Sequence, residues 1–158
     1  MDSLRTITDG FNLTEKAEQI KPLGIGNINS SFVVKCKSAK YVLQRINTDV
    51  FQDPYGMMNN IRLVTEHLKK KIAEEGGDPE RGTLSFVTAK DGSLCHKAED
   101  GIYRMYSFID DVTTIQNTKS SDEAYRTAYA FGEFQRRLSD FNPDCLTETI
   151  PDFHNTQK

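Results

Sequence analysis

Residues 19–46 read Gln19-Ile20-Lys21-Pro22-Leu23-Gly24-Ile25-Gly26-Asn27-Ile28-Asn29-Ser30-Ser31-Phe32-Val33-Val34-Lys35-Cys36-Lys37-Ser38-Ala39-Lys40-Tyr41-Val42-Leu43-Gln44-Arg45-Ile46, and this stretch decides the fold. Residues 19–23 are strand-like. Gly24-Ile25-Gly26-Asn27 has the composition of a turn. Residues 31–36 are rich in β-formers, residues 37–40 are polar enough to turn, and 41–46 read as a third strand. Three strands at such short spacing predict an antiparallel meander.

Downstream the period changes. Met57, Ile61, Val64, Leu68 and Ile72 recur at helical spacing, which predicts an amphipathic helix over 57–73. Asp53-Pro54 suits its entry and Gly76-Gly77-Asp78-Pro79 its end. A strand over 84–88, a hairpin turn at Asp91-Gly92 and a last strand over 103–109 follow. A polar connector, 110–119, leads to a second helix over 121–141, with Phe131, Phe134, Leu138 and Phe141 in its stripe and a Ser120–Glu123 capping box. Upstream, Leu4, Ile7 and Phe11 mark a short helix over 3–11. The expectation is an α+β chain: a helical segment over 1–18, a five-stranded antiparallel sheet with one helix over 19–109, and a connector with one further helix over 110–158.

Composition narrows the class. Hydrophobic residues make up 37% and charged residues 27% of the 158, which suits a globular protein. A formal net charge of -3 offers no electrostatic footprint for nucleic acid or an anionic membrane. Lys69-Lys70-Lys71 closes the first long helix, where it complements the helix dipole. The three cysteines, Cys36, Cys95 and Cys145, are far apart and form no C-x-x-C pair, which predicts reduced thiols in a cytoplasmic protein. No apolar run approaches the ~20 residues that span a bilayer, and residues 1–13 lack the apolar centre of a signal peptide.

Glycine lets backbone N–H groups approach phosphate oxygens that a Cβ would hold off. Gly24 and Gly26 stand on a β-hairpin rather than before a helix, so neither a P-loop nor a dinucleotide-binding turn is in question. A glycine hairpin, a third strand with a basic residue, a helix, two strands and a hinge follow the order of parts in a kinase N-terminal lobe. In this order the chain resembles the aminoglycoside phosphotransferase and choline kinase superfamily, nearest its N-acetylhexosamine 1-kinase branch. The likeness is carried by Gly24-Ile25-Gly26-Asn27-Ile28-Asn29, Tyr41-Val42-Leu43-Gln44-Arg45-Ile46-Asn47, Val50-Phe51 with Asp53-Pro54, Asn60-Ile61 with Val64-Thr65, Tyr103-Arg104-Met105-Tyr106-Ser107-Phe108-Ile109, Phe131-Gly132-Glu133-Phe134 and Ile150-Pro151-Asp152-Phe153-His154-Asn155-Thr156.

The resemblance implies a protein-kinase-like N-terminal lobe, a hinge and the opening of a C-terminal lobe. It implies ATP under a flap that includes Gly24, Gly26, Asn27 and Asn29, with the adenine on backbone between Met105 and Phe108, a hinge that includes Tyr106 and Ser107. The γ-phosphoryl group would pass, with Mg²⁺, to the anomeric hydroxyl of an N-acetylated hexose. A kinase of this kind wants a cation on the third strand and a carboxylate on the helix. Here the strand offers Gln44 or Arg45, on opposite faces, and the helix offers Glu66, or Asn59 or Asn60 in its place. None of His67, His96 and His154 begins an H-x-D catalytic loop. Asp110-Asp111 reads as a solvated turn. The 158 residues alone are therefore expected to be inactive. The other readings are a non-catalytic nucleotide-binding or interaction module and an inert truncated product. An uncovered stripe of Phe131, Phe134, Leu138 and Phe141 is expected to make the chain self-associate or leave its last helix mobile.

Overall fold

The computed structural model describes residues 2–24, 28–112, 117–153 and 155–157. In chain order the elements are α1 (Asp2–Thr8), β1 (Gln19–Pro22), β2 (Ser30–Lys35), β3 (Lys40–Arg45), α2 (Pro54–Glu74), α3 (Pro79–Gly82), β4 (Phe86–Val87), β5 (His96–Ala98), β6 (Gly101–Ser107), α4 (Ser121–Arg137) and a 3-10 turn, Pro143–Cys145. All pairings are antiparallel, in the order β1-β2-β3-β6-β4, with β5 also on β6. The sheet has six strands where five were expected. β4 pairs with Met105 and Tyr106, and β5 with Gly101, Ile102 and Tyr103. The two short strands thus share one edge of β6, and the sheet is still five strands wide.

The meander forms as its composition dictates. β2 and β3 pair along their full length, from Ser30 opposite Arg45 to Lys35 opposite Lys40. Their turn is closed by Cys36 N–H donating to the Ala39 carbonyl at 2.8 Å. The Glu15 carboxylate accepts from the Ser38 amide and hydroxyl, both at 2.8 Å, and these bonds hold its pKa below the usual range.

Strand alternation sorts the side chains onto two faces. Val34, Cys36, Leu43, Tyr103 and Met105 form a core with Ile7 and Phe11, so α1 and the segment after it cover one face. On the other face Ile46 and Cys95 pack with Met57 and Met58 of α2, flanked by Phe51, Phe86 and Ile102. Cys36 and Cys95 are buried free thiols, and Cys145 is exposed. Burial pushes the Cys95 thiol up to about 11, which keeps it protonated at neutral pH.

α2 begins and ends where its cap residues put it. The Asp53 carboxylate accepts from Gly56 N–H at 2.9 Å, and Pro54 fills the first helical position. At the far end Gly76 has φ +75°, which glycine adopts freely. Gly76 N–H bonds the Ala73 carbonyl and Gly77 N–H the Ile72 carbonyl, the paired bonds of a Schellman motif. Asp53→Ala is expected to cost about 1 kcal/mol, read as a lower urea midpoint at unchanged m-value. Asp78-Pro79, taken from sequence as a stop, repeats the Asp-Pro entry of α2, and α3 begins there: Asp78 Oδ1 accepts from Glu80 N–H at 2.9 Å.

α4 starts at the expected cap. Glu123 N–H donates to Ser120 Oγ at 3.2 Å, and the Glu123 carboxylate returns to Lys119 N–H at 2.6 Å. None of its residues is buried. Phe131 is 67% and Phe134 46% exposed. Leu138 and Phe141, expected to be uncovered, are half-buried, because the chain turns back after α4 and sets Phe141 edge-on to His67 of α2 at 5.3 Å.

Candidate functional site

The turn after β1 rises from a paired base. Leu23 N–H donates to the Ser31 carbonyl at 2.8 Å, and Gly24 takes φ +62°, a left-handed conformation that glycine adopts without a Cβ penalty. Gly26 and Asn27 lie outside the described residues. On the return side Asn29 Oδ1 accepts from Asn47 N–H at 2.9 Å, tying the turn to the segment after β3. Between them lies a cavity of about 270 Å³ bordered by Ile28, Ser30, Arg45, Asn47 and Asp49.

The alternatives at residues 44 and 45 separate by face. The Arg45 guanidinium donates to the Asp100 carbonyl and lies over Gly101, bracing the β5–β6 hairpin. Gln44 turns toward α2. Its Nε2 donates to Ser31 Oγ at 2.8 Å, which fixes the amide with Oε1 facing β6. That oxygen accepts from Arg104 Nε at 2.9 Å and Nη2 at 2.6 Å, and Arg104 Nη1 reaches the Met58 sulfur of α2 at 3.5 Å. Arg104 stands directly opposite Gln44 in the β3–β6 register. Burial lowers its pKa, although arginine remains charged at any physiological pH.

The helix residues named from sequence lie elsewhere. Glu66 pairs with Arg62 at 2.9 Å on an exposed face. Asn59 Oδ1 accepts from the same arginine at 2.9 Å. Asn60 makes two bonds to the backbone of Thr147, at 2.6 and 2.9 Å, and so ties the tail to α2. Arg104 thus has no carboxylate partner among the described residues. The sheet cation that reaches α2 at Met58 comes from β6, not β3. Arg104 gains its place only from tertiary pairing, which sets it opposite Gln44.

At the other end of β6, Met105 is fully buried and Tyr106 stacks edge-on with Phe86 at 5.6 Å. Ser107 N–H donates to the Ser85 carbonyl at 2.8 Å and Phe108 N–H to the Lys40 carbonyl at 3.0 Å. Lys40 also lies over the Phe108 ring and pairs with Asp110. The strand ends at Ser107, so Phe108 and Ile109 belong to the connector. Asp111 is exposed with φ +57°. No group of acids, histidines or cysteines among the described residues is arranged to hold a metal ion. No helix among them is long and apolar enough to cross a membrane. His154 lies outside the described residues.

No protein-family model matches the chain. Among solved structures it is similar to a spectinomycin phosphotransferase in complex with ADP and spectinomycin, with a TM-score of 0.51 and 11% identity over 87% of this chain and 36% of that one. It is also similar to an aminoglycoside phosphotransferase from Alicyclobacillus acidocaldarius, with a TM-score of 0.56 and 17% identity over 90% of this chain and 37% of the other. The chain has the fold of the kinase-like N-terminal lobe of aminoglycoside phosphotransferases and spans little more than a third of the length of these two structures.

Proposed function

We propose that these 158 residues are the nucleotide-binding part of an ATP-dependent small-molecule phosphotransferase. The observation that carries this reading is the likeness of fold to two phosphotransferases, one of them described with ADP bound. Within the reading, Gly24, Gly26, Asn27 and Asn29 form the phosphate flap, and Gln44 lies beneath it with Arg45 at its border. The adenine lies under the sheet at Tyr106, Ser107 and Phe108; Met105, expected from sequence to border it, is instead fully buried in the core beside Ile7 and Phe11. The N–H groups of Ser107 and Phe108 already serve Ser85 and Lys40, so the backbone donor for the base falls at Ile109 or beyond. The division into 1–18, 19–109 and 110–158 belongs to the same proposal.

The acceptor class follows from the sequence resemblance: the anomeric hydroxyl of an N-acetylated hexose, with an aminoglycoside hydroxyl as the rival. Mg²⁺, implied by the same resemblance, would be held largely by the phosphates of the nucleotide; no group of three or more acids, histidines or cysteines among the described residues is arranged to hold it by itself. The same reading locates the catalytic base outside these residues. Calorimetric titration of the chain with ATP and ADP tests the proposal. Binding of both is expected, with no turnover on N-acetylglucosamine or N-acetylgalactosamine. Absence of any nucleotide binding overturns it. Gly24→Val is expected to weaken nucleotide binding, since Gly24 takes φ +62°, which a β-branched side chain resists; unchanged affinity would leave the turn an ordinary hairpin.

A further inference from the structure

Arg104 holds an unusual position for a cation. It sits in the middle of β6, the strand between β3 and the β4/β5 edge, and is partly buried beneath α2. Its only oxygen acceptor among the described residues is the neutral Gln44 amide. A guanidinium carries five N–H donors. Here two serve Gln44 Oε1 and one faces a thioether, a weak acceptor. The other two have no protein acceptor among the described residues. An amide oxygen satisfies donors but cannot neutralise charge, and a charge removed from water is costly unless it is paired.

The surroundings hold this arrangement in place. Ser31 fixes the Gln44 amide, and that amide fixes the guanidinium plane. Ser31 is two residues beyond Asn29, which anchors the turn read as the phosphate flap. Hydrogen bonds therefore link Ser31 of β2 through Gln44 of β3 to Arg104, and Ser31 adjoins the base of that turn. The unused edge of a planar guanidinium suits an oxyanion, which it can bind through two parallel bonds.

We propose that Arg104, and not a residue of β3, is the phosphate-binding cation of this lobe, and that it pairs with the α- or β-phosphate of a nucleoside di- or triphosphate. This rests on the nucleotide-binding reading above. It assigns to Gln44 the role of a positioning residue, which holds Arg104 in plane while the ligand supplies the missing negative charge.

The test is titration of the whole 158-residue chain with adenosine and with ADP. The wild type is expected to bind ADP more tightly than adenosine. Arg104→Gln keeps a donor toward Gln44 but removes the charge; it is expected to weaken ADP binding by about tenfold or more and to leave adenosine unchanged. The double variant Gln44→Lys with Arg104→Gln moves the cation one strand across, onto β3, and is expected to restore most of the preference for ADP. If Arg104→Gln does not fold, as judged by circular dichroism, Gln44→Ala, which removes the group that orients Arg104, decides: a weaker preference for ADP over adenosine supports the proposal, and an unchanged preference overturns it. An Arg104→Gln chain that binds ADP like the wild type overturns it while leaving the nucleotide reading intact. A parallel loss of adenosine binding also overturns it, because Arg104 would then only support the sheet. A wild type that binds neither ligand removes the nucleotide reading and this proposal with it.

Discussion

Leu43→Ala is expected to lower the stability of the chain by about 3–5 kcal/mol, read from urea unfolding followed by circular dichroism. Leu43 is fully buried at 0% exposure, as are Val34 and Met105 beside it. It lies in β3 with Phe32 opposite on β2 and Met105 opposite on β6, and Ile7 and Phe11 close the same core from the α1 side. Ladders on both sides hold the three strands in register, so the backbone cannot close over the missing atoms. A site that collapses little puts a leucine truncation near the top of the usual range. Against a typical domain stability of ~5–15 kcal/mol, this is about a fifth of the total or more. Val50→Ala, at a 41% exposed position outside the sheet, is expected to change stability by less than about 0.5 kcal/mol. A loss below about 1 kcal/mol at Leu43 would contradict the packing described here.

The parts of this fold that were legible in sequence are those set by local chemistry. Strong β-formers on either side of Lys37-Ser38-Ala39-Lys40 pair as β2 and β3. Asp53-Pro54 and Gly76 bound α2 to within a few residues, and Gly92 takes the positive φ, +85°, that Asp91-Gly92 implied. What escaped was set by tertiary pairing. β5 is three residues long, with Lys97 exposed, and carries no apolar alternation to announce it; it exists because β6 offers an open edge. β6 itself begins at Gly101 rather than 103, since Gly101 and Ile102 pair with Ala98 and Lys97 in that hairpin. The candidate site divides in the same way. Alternation showed that Gln44 and Arg45 face opposite ways, but only the side on which α2 packs gives those faces meaning. Arg104 becomes visible once the register sets it opposite Gln44.

Acid is expected to release α4 from the rest of the molecule before the sheet opens. Along its body α4 buries nothing; its C-terminal end is held to α2 mainly by charge. Glu75 takes Arg136 at 2.7 Å and Arg137 at 3.0 Å. Asp140 pairs with Lys71, and the Arg137 carbonyl meets His67 Nε2 at 2.9 Å. The Glu75 carboxyl is held below the usual range first by its bond to Arg136 and then by that to Arg137, and Asp140 by its bond to Lys71. A carboxylate whose pKa is depressed on folding contributes fully above its unfolded value and loses that contribution as pH falls through the folded one. The raised pKa values of Lys71 and Arg136 act only at strongly alkaline pH and leave the acid behaviour to the carboxylates. All these groups are partly solvated, so salt should act in the same direction as acid. The measurement is hydrogen exchange, corrected for intrinsic pH dependence, comparing Ser121–Arg137 with Gly101–Ser107. At neutral pH α4 is expected to exchange faster than β6. Below the carboxylate range the gap should widen, and Glu75→Gln at neutral pH should widen it likewise with β6 unchanged. Once free, a helix that already exposes Phe131 and Phe134 presents a continuous apolar face, so size-exclusion chromatography should show self-association rising with the same loss of protection. Protection of α4 equal to that of β6, undisturbed by acid or by Glu75→Gln, would mean that the helix is held by something other than these charges.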